Sequence, residues 1–501
     1  MAPPAVWLLL PLGLLCLFSS AASLSGATAA DEAAADYVVV ATSWLKPKPV
    51  CQGLRVDAPA ANLTASSWVP LSHSYGPCSA AAAGSWSPAP ADVLLQDQHR
   101  AGYIQRKLAG STSQDDDGSG LPESVVKTGQ SEHGPTIKTN IGEDKPNTPP
   151  ESSEAVTIFE PAAGGGSGGQ RLPGVKQTMV LDTASDVAWV QCAPCPMPQC
   201  HPQTDVLYDP SRSSTYAPFA CGSPVCRQLG PYGNGCAPGS QQCQYLVQYP
   251  DGRSTMGTYI SDVLRLNPTS VIGGFQFGCS HAVQGHFPND TAGIMALGRG
   301  AQSLASQTRL TYGGLFSYCL PRTPSYSGFF VLGVPRVDSS RYVLTPMFSV
   351  RQAPMLYLVR LQAIVVAGQT LAVPPAVFAP GSVVDSRTVI TRLPPTAYAA
   401  LRSAFRARMG MYRAAPPKNQ LDTCYDFRGV RRVTLPKITL VFDHSAAVEL
   451  DPLGILFSDC LAFAPGTDDR AMGVIGNVQL QTFEVLYNVP GAAMGFRRAA
   501  C

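Results

Sequence analysis

The sequence predicts a mainly β protein folded as two β-rich lobes, and three observations carry that expectation. From about residue 175 onward, short runs rich in Val, Ile, Leu, Tyr and Phe alternate with Gly, Pro, Asn and Asp turns, the texture of an all-β chain. Two of these runs end alike. Met179-Val180-Leu181-Asp182-Thr183-Ala184-Ser185 and Ser382-Val383-Val384-Asp385-Ser386-Arg387-Thr388 each finish in an aspartate followed by a hydroxyl residue, and the aspartates lie 203 positions apart, one per half of the folded region. The 501 residues are 45% apolar and only 14% charged, enough to bury two sizeable cores.

Taken in order, the chain opens on the apolar run Val6 to Phe18 followed by small residues from Ser19 to Ala30. The run is too short, and too interrupted by Pro11, to span about 30 Å of hydrocarbon, so residues 1–25 are expected to be a secretory signal peptide. The C-terminal stretch Gly495 to Cys501 lacks the apolar tail of a lipid-anchor signal. A secreted protein without a membrane anchor is expected, with the vacuole as a second destination. Residues 26–165 are expected to form a prosegment and linker. They contain the strand-like Tyr37-Val38-Val39-Val40 and a helical stretch from Ala91 to Leu108, with apolar positions 93, 94, 104 and 108 near a 3.6 period. Gly110 to Ser153 is polar, its Asp115-Asp116-Asp117 read as solvated linker, and Gly164 to Gly169 is a flexible Gly/Ser run.

Residues 166–345 and 346–501 are expected to be the N-terminal and C-terminal lobes. Strands are predicted at Cys243–Tyr249, Phe275–Gly278, Gly328–Gly333, Tyr357–Leu361 and Ile438–Phe442. One helix is predicted from Pro394 to Met409, with prolines at its start, Gly410 after its end and a Leu401, Phe405, Met409 stripe.

A net charge of +2 gives no reason to expect nucleic acid or an anionic membrane as partner. Of fifteen cysteines, Cys16 leaves with the signal peptide, and the remaining even number suits a disulfide-bonded secreted protein. Cys192-Ala193-Pro194-Cys195 and Cys200-His201 are accordingly read as bridged loop cysteines rather than a metal or redox site. With Cys221, Cys226, Cys236 and Cys243 they mark a stapled region. Asn62 and Asn289 open glycosylation sequons.

These residues together resemble the pepsin-like aspartic proteases, in particular the plant secreted nepenthesin-like branch. The resemblance covers nearly the whole chain. It rests on the prosegment segments Pro49 to Cys51, Trp68 to Leu71, Tyr75 to Cys78 and Asp97 to Ile104, on the cysteine-rich insertion after Cys192, and on the Cys501 ending. It implies a bilobal pepsin-like fold around a substrate cleft. Asp182 and Asp385 fall on the catalytic aspartates, Thr183 and Ser386 on the supporting hydroxyls, and Ala296-Leu297-Gly298 and Val474-Ile475-Gly476 on the segments flanking the catalytic loops. Tyr249 falls on the flap tyrosine and Trp189 on its indole partner.

The implied activity is acid-optimum endopeptidase chemistry on an extended peptide by a secreted zymogen that is monomeric and needs no metal or cofactor. Two carboxylates in contact share one proton, giving a base that activates water and an acid that protonates the carbonyl oxygen. Three positions depart from the family pattern: Ala184 and Arg387 replace the glycines of the two catalytic motifs, and Pro250 replaces a flap glycine. An arginine within about 4–6 Å of the aspartates would lower their pKa by about 1–3 units, whereas one turned away would not. The sequence leaves both orientations open, and with them the alternative of a weak or inactive member that binds or inhibits another protein.

Overall fold

A computed structural model describes residues 36–45, 51–52, 66–73, 78, 90–109, 135–143, 173–249, 253–285, 287, 291–321, 323, 325–335 and 339–501. The expected signal peptide, residues 1–25, and the segment 110–134 lie outside the described residues, as do Asn62, Asn289 and Pro250.

The chain is mainly β, as its composition of short β-branched and aromatic runs requires. A fifteen-stranded sheet carries most of the first half, and three smaller sheets of five, four and four strands carry the second. The predicted strands at Gly328–Gly333 and Ile438–Phe442 form over those residues. Cys243–Gln248 stops one residue short, and Phe275–Gly278 is the middle of a longer strand, Ser270–Gln284. The Tyr357–Leu361 run is divided into Leu358–Val359 and Leu361–Val366. The predicted helix runs Pro395–Arg408, with Ala397, Tyr398, Leu401 and Phe405 buried on one face. Among the described residues no helix is long and apolar enough to cross a membrane.

Seven disulfides tie the described chain. Cys195–Cys200, Cys221–Cys236 and Cys226–Cys243 staple the cysteine-rich insertion, while Cys192 reaches out of it to Cys279. Cys319–Cys501 joins the end of the chain to the first half, and Cys424–Cys460 and Cys51–Cys78 close local loops.

Two features of the large sheet position the site. Its strands Ala493–Arg497 and Glu484–Asn488 come from the second half and pair with each other, and Glu484–Asn488 pairs directly with Leu315–Cys319 from the first, so one ladder of hydrogen bonds joins the halves. Beyond Gly328–Gly333 this ladder is continued by Ser66–His73, a strand from the N-terminal region that pairs antiparallel with it from Ser66 to Leu71 and then with Pro135 and Thr136. Pro135–Glu143 is likewise paired on Pro173–Asp182, so it is a working member of the sheet and not a tether.

Candidate active site

Each aspartate is delivered by a strand and gripped by a neighbouring strand of matching sequence. Pro173–Asp182 pairs in parallel with Gly293–Ala296, bringing Ala296 opposite Asp182, and the Leu297 N–H donates to the Asp182 carbonyl at 2.8 Å. Ser382–Val384 repeats the arrangement against Gly473–Ile475, and the Asp385 N–H donates to the Ile475 carbonyl at 3.1 Å. The glycines at the ends of the two gripping segments are required by close approach. A Cβ at Gly298 would collide with Asp186 and Ser185, and one at Gly476 would lie 2.6 Å from the Val389 carbonyl oxygen. The backbone therefore passes where no side chain fits.

The hydroxyls after the aspartates lock the loops together. Ser386 N–H donates to Thr183 Oγ1 at 3.0 Å, and Thr183 N–H donates to Ser386 Oγ at 3.3 Å. Ser386 Oγ also donates to the Leu181 carbonyl at 3.1 Å. The last hydroxyl of each motif turns back on its own aspartate: Ser185 Oγ donates to Asp182 Oδ2 at 2.7 Å, and Thr388 Oγ1 donates to Asp385 Oδ2 at 2.6 Å. All four side chains are buried, with Asp182 and Asp385 fully so. Two ionised carboxylates at such a site demand compensating charge.

That charge is supplied twice. Arg100, from the helix Pro90–Ala109, lies between the aspartates. Its Nη2 donates to Asp182 Oδ1 at 2.6 Å and to Asp385 Oδ1 at 2.8 Å, its Nε to Asp385 Oδ2 at 2.9 Å and its Nη1 to Asp182 Oδ2 at 3.2 Å. Arg387 adds a second guanidinium. It does not turn away: its Nη1 donates to Asp182 Oδ2 at 2.7 Å, so it pairs with the aspartate of the other half. Burial alone would push the Asp182 carboxyl up. Arg100 and Arg387, with the hydrogen bonds from Arg100 and Ser185, overturn that and hold it well below the usual carboxylate range.

Ala184 has a negative φ and fills an apolar cluster with Ile104, Leu356, Leu358, Val383 and Val474, so its backbone needs no glycine. Trp189 Nε1 donates to Tyr249 OH at 2.8 Å, both rings are buried, and Phe287 meets each edge-on. The structure thus brings together Asp182, Asp385, Thr183 and Ser386 at one point and Tyr249 with Trp189 at another.

Two residues escaped the sequence reading. Arg100 and Asp97 interrupt the buried stripe Val93, Leu94, Ala101 and Ile104 of their helix, where an amphipathic surface helix would carry apolar side chains. Charged residues on the wrong face were the available signal.

Comparison with known proteins agrees with this geometry. Residues 168–334 match the family described as Xylanase inhibitor N-terminal, and 356–498 the one described as Xylanase inhibitor C-terminal. An aspartyl protease family protein of Arabidopsis thaliana is 35% identical over 454 residues, covering 89% of this chain and 90% of the relative. Aspartic proteinase nepenthesin-2 of Nepenthes gracilis is 30% identical, over 64% of this chain and 74% of its own. Among solved structures, conglutin gamma from lupine seeds superposes with a TM-score of 0.54 at 19% identity, covering 73% of this chain and 92% of that one, a likeness of fold. With its paired Asp-tipped strands and this extent of identity, the chain belongs to the plant pepsin-like aspartyl protease family that includes the nepenthesins.

Proposed function

We propose that this protein is a secreted aspartic endopeptidase held latent by its own N-terminal region. The observation that carries the reading is the meeting of Asp182 and Asp385 on the single guanidinium of Arg100, which sets the two carboxylates within reach of one small group. A water in the place of that guanidinium would contact both carboxyls. An ionised one would take its proton, and a protonated one would donate to the scissile carbonyl. An extended peptide is the expected substrate, the Tyr249–Trp189 pair its cover, and the working protein a monomer.

Arg387 assigns the two roles. With Arg100 gone, the guanidinium of Arg387 still faces Asp182, which stays ionised as the base, and Asp385 is the one left to carry the proton. The cost is a weaker base. Latency ends when acid weakens the docked helix. Docking depresses Asp182, so the docked state binds that proton more weakly than the released state. Docking is therefore fully favoured above the released-state pKa and is lost as pH falls toward the docked one. Asp97 runs the other way. Burial lifts its carboxyl against Arg392 and the Val389 and Ile390 amides, so the docked state holds that proton no more weakly than the released one and acid acting on Asp97 does not drive release. Because Pro135–Glu143 is built into the sheet, we place processing upstream of it, within 110–134.

The test is acidification of the full-length chain, following loss of the N-terminal region and cleavage of a denatured globular protein, with Asp182→Asn as control. Cleavage between pH 2 and 6 that is absent in the variant is expected; none in the wild type sinks the reading. The Arg387–Asp182 pair favours one alternative, a catalytically silent member that binds another protein in the same place, and a silent wild type that still sheds its helix would support it.

A further inference from the structure

Arg100 occupies the aspartates, but a second charged group of the same helix occupies a separate socket. Asp97 is 2% exposed. Its Oδ1 accepts from the Val389 N–H at 2.6 Å and the Ile390 N–H at 3.2 Å. Its Oδ2 accepts from Arg392 Nη2 at 2.7 Å and Gln420 Nε2 at 3.4 Å. Four donors converge on one carboxyl.

The socket belongs to the body of the protein. Its amides follow directly on Thr388, the residue that donates to Asp385. Arg392 stands in the strand Thr391–Leu393, which pairs with Phe463–Pro465 on one side and Gly473–Ile475 on the other. Among the described residues Asp97 is the only carboxylate in ion-pair range of Arg392, and Arg392 Nε is buried without a hydrogen-bond partner there. When the helix leaves, a cation and two aimed amides are left beside the aspartates without their acceptor. A buried group of that kind is costly until an anion or water replaces what was lost.

Resting on the proposed protease reading, we infer that this socket is a substrate subsite for a carboxyl-bearing side chain, Asp or Glu, with Arg392 as its specificity-determining residue. Asp97 holds the place of the substrate acid in the latent protein. An Asn or Gln side chain fits poorly, because its NH2 would face a donor whichever way it turned. A site built to hydrogen-bond one group rejects the analogue that leaves its polar atoms unpaired. Asp97 and Arg100 are three positions apart on the helix, about 4.5 Å along the axis, so the acid falls within about three residues of the scissile bond of an extended peptide.

The test uses the full-length chain carrying a specific-protease site within 110–134, cut and assayed at pH 5. The probes are decapeptide pairs sharing one cleavable Leu–Phe bond, with Glu or Gln at each flanking position in turn. At one position kcat/KM for Glu is expected to exceed that for Gln by about tenfold or more. Arg392→Gln should bring that ratio near one, and Arg392→Lys should leave an intermediate ratio. The ratio is the readout, so any loss common to both peptides cancels. Wild-type ratios near one at every position overturn the proposal whether or not the variants fold.

If no peptide is cleaved, the protease reading fails while the socket is still tested by binding of a labelled synthetic 90–109 helix peptide. Asp97→Asn in that peptide should weaken binding about tenfold or more to the cut wild-type chain, and far less to Arg392→Gln. Equal affinity of both peptides for the wild type would overturn it.

Discussion

The two aspartate loops are built on one plan, and each departs from the family pattern at its glycine position. In the first, the residue after Thr183 is Ala184, whose methyl sits in an apolar cluster with Ile104 and Leu356 and adds no charge. In the second, the residue after Ser386 is Arg387, whose guanidinium crosses to the opposite loop and pairs with Asp182. The hydroxyl network between the loops is nearly symmetric, with Thr183 and Ser386 exchanging hydrogen bonds. A symmetric scaffold therefore carries an asymmetric charge, and that charge falls on Asp182. The comparison teaches that equivalent positions in a duplicated motif need not carry equivalent chemistry: a methyl is absorbed by packing, whereas a charge acts on whatever lies within a few ångströms.

The comparison breaks most severely if the aspartates themselves are removed. Asp182→Asn or Asp385→Asn should lower peptide-bond cleavage by about 10^2–10^4-fold, read as kcat on a denatured protein or peptide. Activity surviving in either variant would remove the dyad from the mechanism. Next in size is Arg100→Gln. It leaves two buried carboxylates short of one cation, and docking of the helix should weaken by about 3–5 kcal/mol. The measure is hydrogen-exchange protection of residues 90–109 at neutral pH, which should fall well below wild type; unchanged protection would mean that Arg100 does not hold the helix.

Arg387→Gly tests the asymmetry itself. Removing the cation raises the Asp182 pKa, so the acidic limb of the pH–rate profile, which requires ionised Asp182, should move up by about 1–3 pH units. A limb that stays in place would deny Arg387 its role. The same linkage predicts that helix protection in the wild type declines as pH falls below the ordinary carboxylate range, because docking depresses Asp182. Protection that rises on acidification would make Asp97, and not the dyad, the dominant titrating group. Smallest is Tyr249→Phe, which leaves the buried Trp189 N–H without its acceptor and should cost about 1–3 kcal/mol in thermal unfolding.

Much of this site was legible in advance because its logic is local. A strand that ends in Asp and a hydroxyl announces itself in four residues, and in the fold Thr183 meets Ser386 and Trp189 meets Tyr249. Helix Pro395–Arg408 and strand Ile438–Phe442 follow equally from periodicity and turn residues. Arg100 and Asp97 were not read, although they break an apolar stripe, because their partners lie 82 to 323 residues away. The same holds for Pro135–Glu143, which reads as linker and becomes a strand only by pairing with Pro173–Asp182.

By itself, then, the sequence determined the β texture, the cysteine-rich stretch from Cys192 to Cys243, the paired aspartates and the helix that carries Arg100. These depend on periodicity, turn chemistry and residue type, which neighbours along the chain express. The tertiary structure alone decided that Arg387 faces Asp182, that Arg100 bridges both aspartates and that Asp97 fills a socket of four donors. Each is a contact between groups far apart in the chain, and its sign and strength depend on distances of a few ångströms that only the folded backbone sets.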